Sequence, residues 1–230
     1  MNIWDPFHPV AYFLHTTLGV AGILGAILAL AMTKGSSPHI LAGRTFAVAA
    51  TVAAGTAIAF SFTAFAPMAV ASGVMTLSGV GSAFLALRSK SPRITASEML
   101  TTSLMAFTVL WLLAGAAMSI LQGGLLWIPP LVLACLAAAL LVNDLRFMRL
   151  DDIERQVKRL PRHLSRMAFA LAIAVHAPVV VFADDFNIHP GLAFYCPLLI
   201  WPVIVFYFRL RLRRGLYNSI VMKRVNGSAR

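Results

Sequence analysis

The sequence predicts an all-α membrane protein, a single bundle of seven transmembrane helices. Three observations predict it. Of 230 residues, 60% are apolar and only 12% carry a charge, against about 45–50% and about 25% in soluble domains. Seven apolar runs are long enough, at about 1.5 Å per residue, to cross a hydrocarbon core of about 30 Å. All 19 Lys and Arg residues fall in alternate connections, the first turns of the helices beside them, and the C-terminal segment. That composition excludes a water-exposed globular surface, and it is too apolar for a disordered chain.

The runs cover about residues 10–32, 40–62, 67–87, 96–120, 125–142, 164–182 and 191–208, and the basic segment 209–230 follows. Pro38, Pro67, Pro161 and Pro190 stand at or beside first turns, where a missing amide hydrogen costs little. Pro129 and Pro130 leave the fifth run short but suit a helix start. Thr95 and Glu98 have the spacing of a capping box, which gives Glu98 a structural role. Pro197 and Pro202 should kink the seventh helix. Cys135 and Cys196 lie in apolar runs without metal spacing and read as small hydrophobes.

Orientation follows from the charges. The connections after helices one, three and five and the C-terminal segment, with the first turn of each adjoining helix, hold every cation, while the opposite set holds Asp5, Asp184 and Asp185. The positive-inside rule then places the N-terminus outside and the C-terminus in the cytoplasm, in a bacterial inner membrane. Trp4, Trp127 and Trp201 are expected toward the outer ends. The N-terminal flank lacks the basic region of a cleaved signal peptide. The net charge of +11 therefore reads as a partner for anionic lipid at the inner face rather than for nucleic acid.

Six histidines are the polar residues that such a bundle must explain. His15 and His176 fall at equal depth, about 9–10 Å from the outer side, which makes them candidate axial ligands of one b-type haem. Small residues Gly19, Gly22 and Ala26 follow His15 on one helix face, and could admit either a macrocycle or a neighbouring helix. Two stacked haems are disfavoured. His163 and His176 are 13 residues apart, which leaves them about 140° apart around the helix. His8, His15, His189, Asp5, Asp184 and Asp185 form a further grouping for a metal or proton at the outer face. No phosphate loop, nucleophile elbow or H-E-x-x-H pair suggests an enzyme.

Three segments carry a resemblance. They are H-T-T-L-G (His15 to Gly19) with H-I-L-A-G-R (His39 to Arg44), then N-D-L-R (Asn143 to Arg146), then R-H-L-S-R-M-A-F-A-L (Arg162 to Leu171). With them the chain resembles a bacterial family of uncharacterised polytopic membrane proteins, defined by a domain of unknown function. The resemblance implies no activity; it places His15, His39, Arg44, Asp144, Arg146, His163 and Arg166 on motif positions.

Depth alone groups His39, Arg44, Asp144, Arg146, His163 and Arg166 in one belt at the inner ends of the helices. Such residues either anchor helix depth by snorkelling or form an inward-facing site for an anionic headgroup or small anion. Two functions are therefore expected: a binding or carrier protein for an ion, proton or small molecule using this belt, or a membrane redox subunit holding one haem.

Overall fold

The computed structural model describes residues 9–64, 67–123 and 127–213. These residues form eight helices: α1 (Pro9–Ala31), α2 (Ser37–Ala64), α3 (Pro67–Leu85), α4 (Pro92–Leu121), α5 (Ile128–Met148), α6 (Asp152–Val181), α7 (Pro190–Leu198) and α8 (Ile200–Arg213). The last two make one broken span, so seven segments are long and apolar enough to cross a membrane. The break at Leu199 lies between Pro197 and Pro202, where ring clashes and missing amides interrupt the ladder. Trp4, Asp5, His8 and the segment beyond Arg213 lie outside the described residues.

α3 is the central helix, packed against α2, α4 and α6. Three glycines on different faces make this approach possible. A methyl group at Gly73 would stand 2.9 Å from the Ala54 carbonyl of α2, and one at Gly81 would stand 3.0 Å from Thr101 of α4. One at Gly79 would stand 3.3 Å from Ala170 of α6. In lipid, packing of this kind replaces the hydrophobic drive that holds soluble cores. Gly73→Ala should therefore cost about 1–3 kcal/mol in a denaturant titration of the detergent-solubilised protein. Gly115→Ala, where nothing lies within 4 Å, should leave stability unchanged or slightly raised.

Two charged helix starts depart from expectation. α6 begins at Asp152 rather than near residue 164, because the Asp151 side chain accepts the Glu154 amide at 2.7 Å. Acidic Asp152 and Glu154 in its first turn suit the positive end of the helix dipole. Pro161 consequently lies inside α6, not at its start. α4 begins at Pro92 with Ser91 as its cap, accepting from Ile94 N at 3.3 Å. The capping box at Thr95 is thus overturned, and Glu98 is released for another partner. Trp201 lies mid-span rather than at an end; its indole donates to Ser165 Oγ of α6 at 3.2 Å.

At the end of the bundle that carries the basic connections, polar groups close helix termini. Lys34 Nζ donates to Ala29 O and Leu30 O at 2.8 and 2.6 Å, satisfying carbonyls that the end of α1 leaves unpaired. Burial, with the nearby Arg211 charge, holds the Lys34 ammonium below the usual lysine range.

Candidate functional site

On α5, Leu140, Asp144 and Phe147 recur at helical spacing and share one face. On α6, Arg155, Arg162 and Arg166 do the same at intervals of seven and four. The two faces meet at the basic end of the bundle. Arg166 Nη2 donates to Asp144 Oδ1 and to Leu140 O, each at 2.6 Å. Arg162 Nη2 also stands 2.6 Å from the same Oδ1, but is not aligned with it as a hydrogen bond. Asp144, Arg162 and Arg166 are all buried.

A second buried pair braces the first. Arg155 holds Glu98 of α4 with both terminal nitrogens, at 3.2 and 2.6 Å. The guanidiniums of Arg155 and Arg162 lie over the Phe147 ring, at 4.4 and 4.1 Å from its centroid. One aromatic ring thus contacts both arginines.

Beside this cluster lies a cavity of about 310 Å³, lined by α5, α6, α8 and Leu150. Among the described residues, its charged lining residues are Arg146, Lys158, Arg162, Arg166 and Arg209, with no carboxylate. Arg166 Nη1 and Arg162 Nε are buried and have no hydrogen-bond partner among the described residues. Buried cations are ordinarily paired, since their desolvation costs several kcal/mol each. Here two buried guanidiniums share one carboxylate oxygen, so positive charge is left over.

The six residues of the expected belt separate into distinct roles. Asp144 and Arg166 pair, and Arg146 reaches the cavity rim. His39 Nδ1 instead meets Ala29 O at 2.9 Å, and His163 Nδ1 meets Ala83 O at 2.9 Å. Both rings close the C-terminal carbonyls of preceding helices, α1 and α3, and with a carbonyl opposite, Nδ1 carries the proton. Arg44 is exposed and makes no ion pair or hydrogen bond among the described residues.

The histidines away from the basic end are engaged separately. His15 Nδ1 stands 2.8 Å from Thr56 Oγ1 of α2, while Thr56 itself donates to Ala53 O. His176 is buried against Phe194 of α7, with ring centroids 4.7 Å apart. No hydrogen bond or ring contact joins His15 to His176. The reason is in α1: Gly22 and Gly25 fit α2 closely, a methyl at Gly25 meeting Phe46 N at 3.0 Å, which turns His15 toward that helix. His189 caps α7, accepting from Gly191 N. Among the described residues no three His, Cys, Asp or Glu side chains converge as a metal site.

Arg162, Arg155, Glu98, Lys158 and Arg209 escaped the reading from depth. Spacing would have found the first two: residues 155, 162 and 166 form one stripe once α6 is extended back to its acidic cap. No protein-family model, curated protein or solved structure matches the chain. The motif resemblance therefore reduces to what the helices themselves show, a polytopic helical membrane protein with buried, ion-paired Arg, Asp and Glu.

Proposed function

We propose that this protein binds a small anion or an anionic headgroup at the basic end of its bundle, as a binding or carrier protein. The observation that carries this reading is the cavity whose five charged lining residues are all cations. A buried guanidinium gains most from an anion because the low local dielectric strengthens each charge-assisted hydrogen bond. Arginine's planar fork, unlike an ammonium, also fixes the orientation of what it holds.

The one-sided basic residues favour a cytoplasmic position for this end, in a bacterial inner membrane. Reporter fusions test that directly. A reporter after Arg230 should behave as cytoplasmic and a tag before Trp4 as external; both ends on one side would contradict seven crossings.

The binding claim is tested by thermal unfolding of the detergent-solubilised protein with a series of sodium salts at constant ionic strength. At about 100 times its Kd, a bound anion adds about 2.7 kcal/mol. The expected result is a melting temperature that rises with one anion class and not with chloride. The rise should shrink in Arg162→Gln. Equal melting temperatures with every anion would overturn the reading.

A further inference from the structure

We infer that the anion is a phosphoryl group, an identification that rests on the anion-binding reading above. The argument is one of direction and charge. The donors come from three helices: Arg146 on α5, Arg162 and Arg166 on α6, and Arg209 on α8. A carboxylate offers two oxygens in one plane and is matched by one guanidinium fork. A phosphoryl group offers three terminal oxygens in a tetrahedral array and accepts from several sides. It also carries about −1.5 to −2 charges near neutral pH, which suits a cavity where leftover buried charge is joined by further cations at the rim.

Two neutral features agree. Ser165 lines the cavity, and its oxygen accepts the Trp201 indole N–H at 3.2 Å. Indole can only donate, so the hydroxyl hydrogen is left to donate in turn. Of the two arginines already counted, one helical turn apart on α6, Arg166 Nη1 and Arg162 Nε are the buried atoms without a partner among the described residues. Leu140, Phe147 and Leu150 supply the apolar part of the cavity wall. That wall suits the organic part of a phosphate ester. The source of the phosphoryl group is either a soluble phosphate or a lipid with a phosphate monoester headgroup, as in phosphatidic acid, and α8 and α5 both carry exposed apolar side chains, including Phe206 and Leu145, along which acyl chains can lie.

The test uses the full chain in neutral detergent. Calorimetry follows inorganic phosphate and, separately, acetate. Native mass spectrometry follows lipid retained from vesicles of phosphatidylcholine with or without phosphatidic acid. Phosphate or phosphatidic acid should bind and acetate should not. Phosphate binding alone marks a soluble source and phosphatidic acid alone a lipid source; both support the inference. Arg162→Gln should weaken binding about tenfold to hundredfold, the effect of losing a charged hydrogen bond. Because that variant can also disturb folding, Arg146→Gln at the exposed rim is the second probe, with a loss of about twofold to fivefold. Acetate binding as tightly as either phosphoryl probe would overturn the phosphoryl identification and leave the anion site standing. Binding of no anion would overturn both. Undiminished phosphate binding in both variants would place the phosphate elsewhere and overturn the inference.

Discussion

Asp144→Ala should destabilise the protein by about 3–5 kcal/mol, the cost of stranding buried charge. The carboxylate is the shared partner of Arg162 and Arg166, so its removal leaves two guanidiniums facing each other across an empty position. Denaturant titration in a mild detergent measures the loss. Added phosphate should recover part of it, because an anion that binds only the folded state stabilises by mass action. The informative companion is a triple variant, Asp144→Leu with Arg162→Leu and Arg166→Met. Replacing a whole buried ionic cluster by apolar groups is often neutral or stabilising. The triple variant should therefore regain stability and lose all response to phosphate. A triple variant less stable than Asp144→Ala would mean that the cluster is structural in a way its charges do not explain.

Glu98→Ala is expected to be nearly as damaging, at about 3–5 kcal/mol, because Arg155 is left buried and unpaired. The pair ties α4 to the start of α6 with two hydrogen bonds, and Arg155 shares Phe147 with Arg162. Its loss should reach the cavity as well. The double variant Glu98→Leu with Arg155→Met should recover most of the stability. A double-mutant cycle isolates the coupling; one near zero would contradict the buried pair.

Composition, run length and one-sided charge made the seven spans legible, because each depends on the solvent the chain must meet. The break at Leu199 was legible for a local reason, since proline constrains its own turn. The start of α6 was not. An apolar window finds the part of a helix inside lipid and misses a charged extension such as residues 152–163. That omission hid Arg155 and displaced Arg162 from the site.

Glu98 shows the opposite failure. Its distance from Thr95 satisfied a local pattern, but Ser91 with Pro92 began the helix a turn earlier, and a cation from a distant segment took the carboxylate. His39 and His163 were expected in the belt, and each ring meets a carbonyl in the last turn of another helix. Depth, however, does not distinguish an imidazole that closes a helix terminus from one that faces a cavity. Partner identity is set by rotation about each helix axis, and a sequence without an amphipathic signal leaves that rotation open. α5 is such a case, apolar on nearly every side until Asn143 and Asp144.

The most direct measurement is an experimental structure of the protein equilibrated with phosphate at saturating concentration. The anion site predicts tetrahedral density in the cavity, within hydrogen-bond distance of Arg166 Nη1 and Arg162 Nε, with Asp144 still paired below it. Those two nitrogens bonded only to water or protein, in a cavity free of phosphate, would contradict it.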